Sequence, residues 1–187
     1  MLLLYLSFVF HVATGSNHQA PDPSSVHYNT SWQDLQEALN TGEVWLTKRN
    51  QPLGQRDCVK WEKFWLNNTL YIFDEWSRKG AQKTKIRHVA KLDNGTEQPI
   101  MKVRYQAERE SQAITYTFRF WNRTEKCAIF TLLRDTCEQY VRRSHAEKEK
   151  RFCDKAYENL CGYSTYPVFK QSCLRRVDIC LGAASTC

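Results

Sequence analysis

The sequence predicts a mainly β fold: an eight-stranded antiparallel up-and-down barrel, with a short helix before it and a second helix packed outside it. Two observations carry this prediction. Eight consecutive β-type runs occur without a crossover helix between them, and most of the breaks are short enough for hairpins. Closure into a barrel removes the two open edges that such a sheet would otherwise leave. An immunoglobulin-type sandwich is the alternative, but its Cys…Trp…Cys core pattern is missing.

Turn-forming residues separate the predicted strands, and Asn94-Gly95 is the strongest turn pair among them. A barrel of about eight strands encloses enough room for side chains or for one small ligand. The predicted strands cover residues 43–49, 57–66, 69–77, 84–92, 99–106, 113–121, 126–133 and 136–143.

Two helices are predicted at the ends of the strand region. The first begins after Ser31, which can cap it, and ends at residues 40–42, where Asn, Thr and Gly follow one another. The second is predicted over residues 144–161, because Ser144 and Glu147 form a capping-box pattern ahead of apolar residues at helical spacing.

The chain divides into three expected segments. Residues 1–15 form an apolar run that ends in small residues, which is typical of a secretory signal peptide and too short to span a membrane. Residues 16–30 are polar and aperiodic, so we expect a flexible arm there, followed by a barrel domain with a disulfide-tied tail over residues 31–187. Because no later stretch reaches about 18 apolar residues, we expect a soluble, secreted, extracellular protein without a membrane span.

The eight cysteines can be interpreted once export is assumed, because an even number in an oxidising compartment indicates disulfides. The spacing of zinc ligands is missing, so neither a metal nor another cofactor is expected. Four glycosylation sequons fit a secreted surface, and they begin at Asn29, Asn67, Asn94 and Asn122.

The chain carries a formal net charge of +7, with cationic clusters at residues 142–143, 148–151 and 175–176. Such clusters usually form a solvated face, and attraction to glycosaminoglycan or to a membrane surface is the alternative. Nucleic acid is not an expected partner outside the cell. The chain has no G-x-S-x-G, no H-E-x-x-H and no phosphate-binding glycine loop, so no enzymatic activity is expected.

Alternation along a strand indicates which side chains face the barrel interior. In the strand over residues 113–121, Ile114, Tyr116, Phe118 and Phe120 share one face, which we expect to point inward because it is largely aromatic.

The cysteines orient the next two strands. If Cys127 and Cys137 reach the second helix outside the barrel, both sulfur atoms point outward. The residues that then face inward are Ala128, Phe130, Leu132, Glu138 and Tyr140. An unpaired Glu138 carboxylate would be costly to bury among these rings, and a protonated amine ligand would compensate it by ion pairing and cation–π attraction. Alternatively, an arginine inside the barrel pairs with the Glu138 carboxylate, or Glu138 lies at the barrel mouth where water solvates it.

Several short motifs follow one another in order: Gln-Arg-Asp-Cys-Val-Lys at 55–60, Lys-Cys-Ala-Ile at 126–129, Cys-Glu-Gln-Tyr-Val at 137–141, Phe-Cys at 152–153, and Tyr-Pro at 166–167 ahead of Cys173. Together with the first helix and the Glu-Val-Trp-Leu run at 43–46, they resemble the tick salivary lipocalins, the histamine-binding protein family. The resemblance extends over nearly all of the chain after the signal peptide, up to Cys173. It implies a lipocalin barrel, secreted in saliva, that sequesters small host mediators such as histamine, serotonin or eicosanoids.

By position, the resemblance implies the disulfides Cys58–Cys173 and Cys127–Cys153. Cys137–Cys161 is then a third bridge, which leaves Cys180–Cys187.

For the amine-binding members of that family, the resemblance implies a shared pattern of Cys-Asp-aliphatic, then Glu-Leu-aromatic, then Cys. This chain keeps Glu138 and Tyr140, but Ala128 stands in place of the acid and Gln139 in place of Leu. Losing one of two carboxylates weakens the amine assignment, because a cation must exchange its hydration for compensating charge inside the barrel.

Three functional hypotheses follow. In the first, the cavity binds a biogenic amine with Glu138 as its counter-charge. The aromatic walls would be Trp45, Tyr116, Phe118 and Tyr140. In the second, an anionic lipid mediator fills the same cavity and His88 is a candidate hydrogen-bond donor to it. In the third, the basic helix and tail bind a host protein such as a complement component.

Overall fold

The computed structural model describes residues 28–174, which form one closed antiparallel sheet and two α-helices. In chain order the elements are α1 (Trp32–Leu39), β1 (Glu43–Arg49), β2 (Arg56–Leu66), β3 (Leu70–Lys79), β4 (Gln82–Asp93), β5 (Ile100–Tyr105), β6 (Ile114–Asn122), β7 (Cys127–Leu132), β8 (Thr136–Arg142), α2 (Arg151–Cys161) and β9 (Tyr166–Pro167).

Each strand from β2 to β8 pairs with the next, and β1 pairs with both β8 and β2, which closes the barrel. The predicted eight-stranded barrel is therefore confirmed, and β9 adds a two-residue pairing to β1. The β4–β5 connection contains the expected turn: Gly95 has φ +64°, and a side chain there would collide with the carbonyl oxygen of Gln98.

Some predictions lie outside the described residues, namely the signal peptide, the arm up to residue 27 and the pairing of Cys180 with Cys187. Of the helices that the structure describes, neither has the length and apolarity needed to cross a membrane.

Helix α1 begins as its sequence predicts. The Asp34 amide donates to the Ser31 hydroxyl at 3.1 Å, and the Ser31 amide donates to the Asp34 carboxylate at 3.0 Å, which completes a capping box. The buried face of the helix, at Leu35, Ala38 and Leu39, joins the main core cluster inside the barrel. Helix α1 therefore closes one end of the barrel.

Helix α2 begins at Arg151, so the prediction of a start at Ser144 is wrong. Residues 143–145 form a 3₁₀ turn instead. The first amides of α2 are satisfied by a residue distant in sequence, because Phe152 and Cys153 donate to the two carboxylate oxygens of Glu125 at 3.0 and 2.8 Å. This acceptor lies in the β6–β7 turn, and no local pattern points to it.

Among the described residues, three disulfides join the barrel to the C-terminal segment: the two that the resemblance implies and the third bridge inferred after them. Two of them hold α2 against β7 and β8, and the third ties the segment after β9 to β2. They are Cys127–Cys153, Cys137–Cys161 and Cys58–Cys173.

The facing predicted for β7 and β8 is observed. Cys127 and Cys137 lie in a cluster with α2 outside the barrel, whereas Phe130 and Tyr140 lie in the core inside it. The prediction that Phe120 points inward is wrong. A bulge in β6 between Phe118 and Phe120 reverses the alternation, so that the Phe120 ring packs outside on Tyr28 with centroids 4.9 Å apart.

A second bulge, in β1, changes the charge inside the barrel. It lies between Leu46 and Lys48 in the pairing with β8. Lys48 consequently points out to the Asp154 carboxylate of α2 at 2.8 Å, whereas Arg49 points inward. Without this bulge, the alternation from Leu46 would have placed Lys48 inside and Arg49 outside.

Candidate functional site

A cavity of about 260 Å³ lies within the barrel at the end where the β1–β2 and β5–β6 loops meet. Aliphatic and aromatic side chains form much of its wall, and charged residues of both signs complete it. The charged residues are Glu75, Glu108, Glu138, Arg49, Arg56 and Arg104. Four of the six residues predicted to bind ligand also line this cavity: Glu138, Tyr140, Tyr116 and His88.

Glu138 lies in the cavity wall and is 4% exposed. Its Oε1 is 3.3 Å from Nη2 of Arg49, the residue directly opposite it on β1, and the Tyr140 hydroxyl donates to its Oε2 at 2.9 Å. The internal arginine considered from the sequence is therefore present. Burial raises the pKa of the Glu138 carboxyl above its usual range, against the opposing effects of the Arg49 charge and of the Tyr140 hydrogen bond.

Glu75 is a second inward carboxylate, and sequence reasoning missed it. Along β3, Tyr71 and Phe73 are fully buried in the core, and Glu75 follows on the same face at the cavity. Its carboxylate has two long contacts, 3.4 Å to Arg56 Nη1 and 3.4 Å to the indole nitrogen of Trp61. The alternation of residues 71, 73 and 75 was the signal that could have found it.

His88 lies in the cavity wall. Its ring stacks on Phe73 with centroids 5.1 Å apart, and its Nδ1 is 3.2 Å from the carbonyl oxygen of Ile86. Since a carbonyl only accepts, Nδ1 carries the proton and Nε2 is left as an acceptor. Burial lowers the pKa of His88. In its neutral form the ring presents the Nε2 acceptor to a ligand, and the role of His88 as donor to an anionic ligand stays a prediction.

Two tyrosines supply aromatic wall and hydroxyl groups. Burial raises the pKa of both Tyr116 and Tyr140 well above the usual value, so both hydroxyls stay protonated at neutral pH. The Tyr140 ring packs against Trp61 with centroids 4.0 Å apart and the ring planes tilted by 31°, and Trp61 is only 1% exposed. Trp61, which was not among the predicted residues, fills the core beside the cavity.

Two predicted wall residues lie elsewhere. Phe118 is fully buried in the barrel core and packs on Phe130, away from the cavity lining. Trp45 points out of the barrel, because its neighbours Val44 and Leu46 on β1 occupy the inward face. Its ring packs on Phe169 with centroids 5.3 Å apart, and its indole N–H donates to Glu43 at 2.6 Å.

Ala128, which stands in place of the acid, lies away from the cavity. It borders a narrow space between Trp61, Leu39 and Trp121 near α1. The missing carboxylate therefore removes no charge from the lining of the 260 Å³ cavity, whose acids come from β3, β8 and the loop after β5.

The predicted glycosylation residues differ in exposure. Asn29, Asn67 and Asn94 are exposed, whereas Asn122 is half-buried and its side-chain oxygen accepts from the amides of Thr124 and Glu125. Modification at all four stays a prediction.

Comparison with known proteins identifies solved structures that are similar to this barrel. The structure of AM182 in complex with serotonin is similar over 73% of this chain and 90% of that chain, with a TM-score of 0.59 and 15% identity. Japanin from Rhipicephalus appendiculatus bound to cholesterol is similar over 70% of this chain and 93% of that chain, with a TM-score of 0.52 and 12% identity. At these identities the likeness supports the fold alone.

No curated protein sequence gives a significant match to the chain. The family model described as tick histamine binding protein matches residues 19–175, which is most of the chain. The chain therefore belongs to the tick histamine-binding protein family.

Proposed function

We propose that this protein sequesters a small biogenic amine, such as histamine or serotonin, in the barrel cavity, with the Glu138 carboxylate as the counter-charge. The observation that carries the proposal is the position of Glu138, which is 4% exposed in a cavity wall with tyrosine rings around it. A buried carboxylate whose pKa is raised gains when a ligand brings a positive charge to it.

Three further groups suit an amine. Glu75 provides a second carboxylate in the same wall, with only long contacts to other residues. The Nε2 atom of His88 can accept a hydrogen bond from an ammonium or ring N–H. The faces of Tyr116 and Tyr140 can attract a cation.

The size of the cavity favours a small ligand. Its volume of about 260 Å³ lies just below the range of about 300–1,000 Å³ that is usual for pockets of drug-sized molecules. A single aromatic ring with a short amine chain suits such a space better than a long lipid does.

The family and one neighbour support the same class of ligand. The family model carries histamine binding in its description, and AM182 was solved with serotonin. We further propose secretion into saliva and evasion of host defence by binding rather than by catalysis. The three disulfides support an oxidising compartment.

An anionic lipid mediator is the second candidate. Arg49 and Arg56 line the cavity, and the Nε of Arg49 is buried without an acceptor among the described residues. A ligand carboxylate could accept from it. Binding of a host protein to the outer surface remains a third candidate, independent of the cavity.

Calorimetric titration of the secreted protein with histamine, with serotonin and with a leukotriene separates these candidates. We expect saturable binding of at least one amine and no displacement of that amine by the leukotriene. Binding of the leukotriene alone would replace the amine assignment, and no binding of any of the three would reject the cavity as a mediator site.

A further inference from the structure

A basic surface covers the outer face of β3, β4 and β5, on the side of the sheet away from the cavity. Alternation places six cationic residues on this face: Arg78, Lys83, Lys85, Arg87, Lys91 and Lys102. Three acids pair with members of this set, Asp57 with Arg78, Asp74 with Lys85 and Arg87, and Glu110 with Lys91. The cations therefore exceed the acids that neutralise them.

The register places like charges against each other on this basic surface. Lys91 of β4 lies directly opposite Lys102 of β5, and Arg78 of β3 lies directly opposite Lys83 of β4. Like charges in directly opposed positions destabilise a sheet. Within residues 28–174, neither Lys83 nor Lys102 has a hydrogen bond or an ion pair from its side chain. Two ammonium groups are thus available to an external anion.

The surface is grooved where the like charges meet. A depression of about 310 Å³ lies over β4 and β5, and Lys91 and Lys102 border it together with Glu110, the partner of Lys91, and with the polar Asn67 and Thr69. Along β4, residues 83, 85, 87 and 91 share this face, and alternate side chains on a strand are about 6.5–7 Å apart. The cations form a row and two cross-strand pairs rather than converging on one point.

We propose that this basic surface binds a sulfated glycosaminoglycan. A linear polyanion with a sulfate or carboxylate at each step can contact a row of cations, whereas a compact anion could reach only one or two of them. The disulfides indicate an extracellular setting, where sulfated polysaccharide is an abundant polyanion. Binding here would leave the cavity open, so the protein could be retained in tissue while it holds its small ligand.

The test uses heparin on a biosensor surface and the secreted chain, treated with an endoglycosidase because the sequon at Asn67 borders the groove. The test variant is Lys83→Gln/Lys91→Gln/Lys102→Gln. The matched control is Lys148→Gln/Arg151→Gln/Lys155→Gln, which removes three cations from the region of α2. Its net charge is therefore the same as that of the test variant. Circular dichroism checks that both variants keep the wild-type fold.

We expect wild type and control to bind heparin alike at physiological salt, and the test variant to bind about tenfold more weakly. The slope of log affinity against log salt should also fall in magnitude by about 2–3 in the test variant, because binding through fewer ion contacts releases fewer counterions. Absence of heparin binding by wild type, or an equal loss in both triple variants, would overturn the proposal. Binding to phosphatidylserine vesicles without binding to heparin would also overturn it, in favour of a membrane surface.

Discussion

Arg49 and Glu138 lie directly opposite each other on β1 and β8 in the wall of the cavity, with 3.3 Å between Arg49 Nη2 and Glu138 Oε1. The pair exists because a β-bulge turns Arg49 inward. Removing either partner would leave the other charge buried without compensation, which is costly. A cationic ligand must therefore share Glu138 with Arg49 or displace the guanidinium, and the second carboxylate at Glu75 eases that competition.

The outward position of Trp45 gives a first prediction. Trp45→Phe should leave amine affinity unchanged, because the ring lies outside the barrel on Phe169. It should lower the free energy of unfolding by about 1 kcal/mol, because the hydrogen bond to Glu43 is lost. In contrast, Tyr116→Leu should weaken amine binding by about five- to tenfold through loss of cation–π attraction. Equal effects of the two variants in calorimetry would contradict this placement.

Amine affinity should fall as pH decreases from 8 to 5. Burial raises the pKa of Glu138, so this carboxylate becomes protonated and loses its charge at a higher pH than an ordinary glutamate does. A bound cation favours the ionised form, and binding should therefore release protons near that pKa. Protonation of His88 at low pH would repel the ligand and act in the same direction. Titrations in two buffers of different ionisation enthalpy measure the released protons, and an affinity independent of pH would count against the role of Glu138.

The start of α2 can be tested by comparing two candidate caps. Glu125→Ala should lower the free energy of unfolding by about 1–2 kcal/mol, because it removes the acceptor of two helix amides. Ser144→Ala should change it by less than about 0.5 kcal/mol, because that residue is exposed and lies outside the helix. Urea denaturation with intact disulfides measures both. A larger loss from Ser144→Ala would restore the capping box expected from the sequence.

Asp57 should govern part of the acid stability. Hydrogen bonds from Arg78 and Lys170 lower the pKa of Asp57 to about 2, against a smaller effect of burial. A depressed folded-state pKa adds stability above the unfolded value and loses it as pH falls towards 2. Asp57→Asn should therefore cost about 1–2 kcal/mol at pH 7 and progressively less between pH 4 and pH 2.

The control for that experiment is Glu149→Gln, which removes an exposed partner of Arg151. It should have little effect at any pH, because ion pairs between exposed groups contribute little. A constant difference between wild type and Asp57→Asn from pH 7 to pH 2 would contradict the assignment.

The sequence was enough to predict the barrel, because the strands alternate with turn residues and the cysteines orient β7 and β8. Glu138 and Tyr140 follow from that orientation. Phe120 and Arg49 could not be placed, because each follows a bulge that reverses the alternation and leaves no local signature. Trp45 was misplaced for another reason: its strand has apolar residues on both faces, so alternation alone does not choose between them.

The measurement that tests the account most directly is calorimetric titration of the bound amine into wild type, Glu138→Gln and Glu97→Gln, the last an exposed acid remote from the cavity lining. We expect Glu97→Gln to bind as wild type does. Glu138→Gln should bind about 30- to 100-fold more weakly, about 2–3 kcal/mol, because the ligand loses its counter-charge and meets an unpaired Arg49. Wild-type affinity in a correctly folded Glu138→Gln would contradict the claim that this carboxylate holds the ligand.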